Sequence, residues 1–205
     1  MESYTGGGVF ASDWQKSMEC YLSTIDDDED TILLSKIVKD NKKPIIVYFP
    51  AVPWEPLQRP QHLLIELSKR GYLCFFCDLS LEESVKEIHE NLFLVKKPEA
   101  LCKVLQALFV LVLVSWPGHL QYLNLLKYKK IWYDLLDAPD FFAGDPNQNL
   151  EGHEQLLSCC DLLTYSNKNL ERDFINAPAY YSCFKHSKTR IEEITQISPV
   201  YIPNG

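Results

Sequence analysis

The segment Asp134-Leu135-Leu136-Asp137-Ala138-Pro139-Asp140 sets three carboxylates three residues apart behind an apolar run. A carboxylate at the mouth of a cleft can accept a hydroxyl proton or bond a sugar hydroxyl. Asp134 falls within the strand end, so Asp137 is the one expected to reach an open cleft. The plainer alternative is that Asp137 and Asp140 cap turns around Pro139. A second segment, Pro53-Trp54-Glu55-Pro56-Leu57-Gln58-Arg59-Pro60, joins an aromatic plane to a fixed fork of donors. Trp54 can stack on a sugar and Arg59 can grip a phosphate or carboxylate. Otherwise Trp54 packs on a sheet and Arg59 pairs with a local acid. His119, in Trp116-Pro117-Gly118-His119, is the histidine expected beside the same cleft. A lone histidine is more often structural.

Other chemistries lack their residues. No GxGxxG follows the first strand, which disfavours a dinucleotide cofactor, and no HExxH, GxSxG, P-loop lysine or zinc-deaminase pattern occurs. Cys74-Phe75-Phe76-Cys77 has CxxC spacing but lies inside a strand pattern, where residues three apart point to opposite faces. Core thiols are the better reading there, as for Cys102, Cys159 and Cys160. The run Asp26-Asp27-Asp28-Glu29-Asp30 could hold a hard cation. Without a glycine or bidentate glutamate at loop-ligand spacing, it reads as a solvated linker, and no metal is expected.

The elements that position these residues alternate regularly after Lys43. Strands are predicted over Ile45–Phe49, Tyr72–Leu79, Leu92–Lys96, Leu108–Ser115, Lys130–Leu136, Leu162–Tyr165 and Val200–Ile202. Helices are predicted over Pro60–Arg70, Leu81–Ile88, Pro98–Gln106, His119–Leu126, Asn149–Cys159, Lys168–Phe174 and Thr189–Thr195. Pro60 and Pro98 fit first-turn positions, and Gly71 follows Lys69-Arg70 as a helix stop. About seven strands alternating with helices imply an α/β, doubly wound, Rossmann-like, mostly parallel sheet with helices on both faces. Such sheets bind ligands at the carboxyl ends of their strands, which is where Trp54, Arg59, His119 and Asp137 fall. Residues 1–42 read as an acidic, partly helical extension, with helices over Ser12–Leu22 and Thr31–Lys39, the latter capped by Asp30. Residues 43–205 form the domain.

Composition agrees. In 205 residues, 46% are hydrophobic and 23% charged, enough for a core and too apolar for a disordered chain. The net charge of −8 disfavours a nucleic-acid partner. Residues 1–40 hold nine acids and three bases, so most of that charge sits in the extension. Seven cysteines, an odd number, and an opening Met1-Glu2-Ser3-Tyr4 unlike a secretory signal favour a reducing, cytoplasmic setting. The longest apolar run, Ala107–Val114, is too short to span a membrane.

An ordered series of segments carries a resemblance. Trp54 leads to Arg59-Pro60-Gln61-His62-Leu63-Leu64, then Lys69-Arg70-Gly71-Tyr72, then Tyr133-Asp134-Leu135-Leu136-Asp137. Glu154-Gln155-Leu156-Leu157, Cys160-Asp161-Leu162-Leu163, Ser166-Asn167-Lys168-Asn169-Leu170 and Val200-Tyr201-Ile202-Pro203-Asn204-Gly205 follow. Over residues 44–205 this resembles the amino-terminal half of GT-B glycosyltransferases of the family 4 type, in the branch of teichuronic-acid and other cell-surface polysaccharide enzymes. The resemblance implies transfer of a sugar from a nucleotide-activated donor, typically with retention, to a sugar or lipid-linked glycan acceptor. It implies no cofactor beyond the donor substrate. Trp54, Arg59, His119 and Asp134 would bind the acceptor, Asp137 would be catalytic, and Asn204 and Gly205 would form the hinge beside the donor. A carboxyl-terminal donor-binding domain would be needed for activity. Peripheral contact with the inner face of a membrane is implied too, and Lys127, Lys129 and Lys130 form the basic cluster nearest an apolar segment. The chain departs from many relatives in having Pro53-Trp54-Glu55-Pro56 in place of a Gly-Gly loop, and Asp137 in place of a histidine. A glycan-binding or protein-interaction module of the same fold is the alternative.

Overall fold

The computed structural model describes residues 28–39, 41–142, 144–170 and 200–203. Among them, eight strands form one sheet: β1 (Ile45–Tyr48), β2 (Leu73–Cys77), β3 (Val85–His89), β4 (Leu92–Val95), β5 (Phe109–Val114), β6 (Tyr128–Leu135), β7 (Leu162–Tyr165) and β8 (Val200–Tyr201). Their order is β3-β4-β2-β1-β5-β6-β7-β8, and every pairing is parallel except β3 with β4. The chain is therefore an α/β protein with a mostly parallel, Rossmann-like sheet. The strand order reverses between β1 and β5, so the crevice such folds use for ligands opens at their carboxyl ends.

The helices are α1 (Glu29–Lys39), α2 (Arg59–Lys69), α3 (Pro98–Leu105), α4 (Leu120–Leu123), α5 (Pro146–Cys159) and α6 (Lys168–Leu170). Alternation along the strands sorts the core into two faces. Ile46, Tyr48, Cys74, Phe76, Leu113 and Trp132 pack with Leu64 of α2. Ile45, Val47, Phe75, Val112 and Tyr133 pack on the other side with residues from α1, α3 and α5. Cys74 and Cys77 thus fall on opposite faces, both buried, and burial pushes their thiols well above the ordinary range. Each fully buried Leu or Phe contributes roughly 2 kcal/mol.

The predicted strands match the observed ones to within two residues at either end. One expectation fails: Leu81–Ile88 is not a helix. Its second half is β3, an antiparallel edge strand whose Val85 lies opposite Val95. Glu90-Asn91 closes the hairpin, with Asn91 at φ 64°, a conformation asparagine tolerates better than most residues. Pairing and the half-burial of Val85 and Ile88 outweigh the local helical preference of Leu81-Glu82-Glu83. The helix expected over His119–Leu126 shrinks to a 3-10 turn at Pro117–His119 followed by α4. The helix after Pro139 begins at Pro146, earlier than expected, because Asp145 accepts from the Asn147 N–H at 2.9 Å.

Gly71, at φ 84°, stops α2 as its position suggested. Within the acidic extension, α1 buries Leu34 and Val38 in the main core. Asp30 lies inside its first turn and pairs with Lys97 beyond β4. The hydrogen bond from Lys97, then that from Ser84, holds the Asp30 carboxyl below the usual range. The helices expected over Ser12–Leu22 and Thr189–Thr195, and the end of Lys168–Phe174, lie outside the described residues.

Candidate functional site

The loop between β1 and α2 is built by two polar groups that it does not itself contain. Asp78, at the exit of β2, accepts from the Trp54 backbone N–H at 2.8 Å and from Ser80 through both N–H and hydroxyl, at 2.9 and 2.6 Å. Burial pushes its carboxyl up, but those three donors outweigh it and hold the group below its ordinary value. Gln61 is fully buried in the first turn of α2 and donates to the carbonyls of Pro53 and Trp54, at 3.0 and 3.2 Å. The Trp54 ring is left half-buried, edge-on to Phe76 with centroids 5.1 Å apart.

Arg59 opens α2 and faces the exits of β6 and β8. Its Nε and Nη2 donate to the two carboxylate oxygens of Asp134 at 2.7 and 3.0 Å, a bidentate fork. Nη1 donates to the carbonyl of Ile202 at 3.0 Å and lies 3.4 Å from that of Pro203. Thr164 on β7 donates to Asp134 Oδ1 at 2.5 Å and accepts from the Trp132 indole at 2.7 Å. The side chains of Arg59 and Asp134 are 13% and 1% exposed, so this ion pair is almost wholly withdrawn from water. It ties α2, β6, β7 and the exit of β8 into one polar network.

At the switch point itself lies a sealed aromatic cluster. Tyr48 shares a 2.7 Å hydrogen bond with Ser115 and packs between Phe76 and His119. Burial first of all raises the Tyr48 phenol to about 12. His119 is entirely buried, and burial lowers its imidazole to about 3, so the ring is neutral. The carbonyls of Phe49 and Pro50 favour its proton without reaching good hydrogen-bond geometry, and neither ring nitrogen has a partner among the described residues. Trp116 lies over this corner; a Cβ added at Gly118 would fall 2.4 Å from its indole.

The candidate residues from the sequence therefore divide. Trp54 and Asp137 keep accessible surface on the loops after β1 and β6. Arg59 and Asp134 engage each other, so in this conformation their part is to position α2 and the strand exits. His119 is at the crevice but sealed. Asn204 and Gly205 lie outside the described residues, as does the Asp140 side chain. Sequence reasoning missed Tyr48, Gln61, Asp78, Ser115 and Thr164. Only Asp78 had a local signal, an Asp-x-Ser directly after a strand. Among the described residues, no group of acids, histidines and cysteines is arranged to hold a metal. Comparison with known protein families, with curated proteins and with solved structures finds no match to this chain.

Proposed function

We propose that this chain is the acceptor-side domain of a nucleotide-sugar-dependent, retaining glycosyltransferase acting in cell-surface polysaccharide or glycoconjugate synthesis. One observation carries the reading. The strand order brings the loops after β1, β5 and β6 side by side, and with them Trp54, Trp116 and Asp137, all with accessible surface. Two indoles beside a free carboxylate suit a sugar, whose apolar face stacks while its hydroxyls are bonded. The ordered segments from Trp54 to Gly205 support the same class. In this reading Asp137 takes the acceptor hydroxyl proton, Arg59 and Asp134 hold the cleft wall, and Asn204 and Gly205 lead to the donor side. A donor-binding domain completes the active site, because the leaving phosphate needs its own stabilising donors.

A second reading is a non-catalytic glycan-binding or interaction module. It is favoured by the engagement of Arg59 with Asp134, which takes up the guanidinium at this crevice.

Titration of the 205-residue chain with oligosaccharides and with nucleotide sugars, read by tryptophan fluorescence, tests both. Saturable binding of an oligosaccharide, with no transfer from any donor, is expected. Turnover by this chain alone would overturn the division between two domains. Absence of oligosaccharide binding would overturn the acceptor-side and glycan-binding readings and leave the interaction module.

A further inference from the structure

Residues 78–84 join β2 to β3 through turns and bends, leaving β2 at its carboxyl end on the crevice side of the sheet. Ser80 is exposed in this segment, beside Leu79, which is 59% exposed. Glu82 and Glu83 follow, both exposed. A serine outside helix and strand can enter a kinase cleft in extended form, and a basic substrate groove grips carboxylates beyond it.

Two other described serines have an acid three residues on, and their surroundings set them apart. Ser158 lies within α5, where its hydroxyl donates to the Gln155 carbonyl at 2.7 Å. Ser84 is half-buried and bonded to the Asp30 carboxyl, with Lys86 ahead of its acid, Glu87. Of the three, Ser80 combines exposure, irregular backbone and a pair of acids.

Asp78 gives Ser80 its reach. One carboxylate oxygen, Oδ1, accepts from the Ser80 N–H at 2.9 Å and from its hydroxyl at 2.6 Å. The other, Oδ2, accepts from the Trp54 N–H at 2.8 Å. Asp78 is 5% exposed, so charge brought beside it is poorly screened. A single carboxylate therefore joins an exposed serine to the loop that presents Trp54.

We propose that Ser80 is a phosphorylation site for a serine kinase that reads acids beyond its target, and that the phosphate unfastens the Trp54 loop through Asp78. Ser80 Oγ forms a bond to the γ-phosphorus of ATP as the bond from that phosphorus to the β,γ-bridging oxygen breaks. ADP leaves, and the hydroxyl proton passes to the kinase's base. Oγ then has no proton to donate, and a group of about −1.5 to −2 charge stands beside the Asp78 carboxylate. Repulsion turns that carboxylate away, and the Trp54 N–H loses its acceptor. Gln61 still holds the Pro53 and Trp54 carbonyls, so the loop is released at one fastening while the other remains. That Trp54 serves a sugar rests on the proposed function; the switch does not.

The test incubates the 205-residue chain with ATP, magnesium and a serine kinase selective for acids beyond the serine, then analyses the peptide holding Ser80 by mass spectrometry. One phosphoryl group is expected on that peptide, none in Ser80→Ala, and several-fold less in Glu82→Gln with Glu83→Gln. Acrylamide quenching of tryptophan emission, taken as the difference from Trp54→Phe, reads the loop without any sugar. Phosphorylation should raise the Trp54 quenching constant at least roughly twofold, and Asp78→Asn should abolish that response. Circular dichroism checks that each variant is folded. An unphosphorylated peptide, phosphate retained in Ser80→Ala, or equal uptake by the double variant would overturn the site. Phosphorylation with unchanged Trp54 quenching, or an equal response in Asp78→Asn, would overturn the switch. A failed oligosaccharide titration touches neither readout.

Discussion

Arg59 and Asp134, 75 residues apart in the chain, form a bidentate ion pair at 2.7 and 3.0 Å between the start of α2 and the end of β6. This pair converts the most suggestive basic residue of the sequence into a fastener. Arg59 reaches in the same direction to the Ile202 carbonyl, so the helix, the central strands and the exit of β8 are held by one guanidinium.

Removing one side of that pair should be costly. Arg59→Ala leaves a buried carboxylate with Thr164 as its one side-chain donor among the described residues, and a loss of roughly 3–5 kcal/mol in urea unfolding is expected. Arg59→Lys keeps the charge but not the fork and should recover only part of it. A loss below about 1 kcal/mol for Arg59→Ala would show that the pair is not closed in solution.

Asp137 lies on the surface and should separate binding from stability. Asp137→Asn is expected to shift the unfolding free energy by less than about 0.5 kcal/mol. On the proposed reading of this chain as half of a sugar transferase, the same substitution should lower kcat of the two-domain protein by roughly a hundredfold or more, with KM for the acceptor little changed. Trp54→Ala should instead weaken oligosaccharide binding by roughly tenfold, at about 1.4 kcal/mol per decade. Unaltered acceptor binding in Trp54→Ala would remove the stacking role.

His119 gives the fold a pH dependence. Its folded value of about 3 lies below the ordinary histidine value of 6.5, so the unfolded chain takes up the proton first. Its contribution is fully present above pH 6.5, is lost as pH falls, and levels off near pH 3. The total is on the order of several kcal/mol. His119→Phe should flatten the stability profile between those limits, measured by denaturant midpoints at a series of pH values. An unchanged slope would mean that water reaches the ring.

Gly118→Ala tests the Trp116 cover. The added methyl would fall 2.4 Å from the indole, closer than real contacts allow, so Trp116 must swing away. A shift of the tryptophan emission with a loss of about 1–3 kcal/mol is expected. A variant with wild-type emission and stability would place the indole elsewhere.

Strand-forming runs were legible because a buried parallel strand needs nothing beyond a short stretch of apolar, β-favouring residues. Ile45–Tyr48, Leu73–Cys77 and Phe109–Val114 are of that kind, and every residue of the first two is buried. Pro60, Pro98 and Gly71 marked helix ends for reasons local to the backbone. β3 was not legible in the same way: Val85–His89 alternates poorly and becomes a strand only because β4 supplies a partner across the Glu90-Asn91 turn. Its identity is a pairing energy, not a propensity.

The candidate site shows the same division. The types of its residues and the strand ends that carry them follow from sequence order, since a parallel sheet delivers every strand exit to one edge. Whether each residue faces a ligand or another residue depends on distances between segments far apart in the chain. Asp134 meets Arg59, Tyr48 meets Ser115, and His119 is enclosed by Tyr48 and Trp116. A buried charge or imidazole is decided by what surrounds it in space. The sequence determined the sheet and the edge on which chemistry can occur. The tertiary structure decided that Trp54 and Asp137 stay accessible while Arg59, Asp134 and His119 are engaged within, because desolvation and pairing act between neighbours that only folding creates.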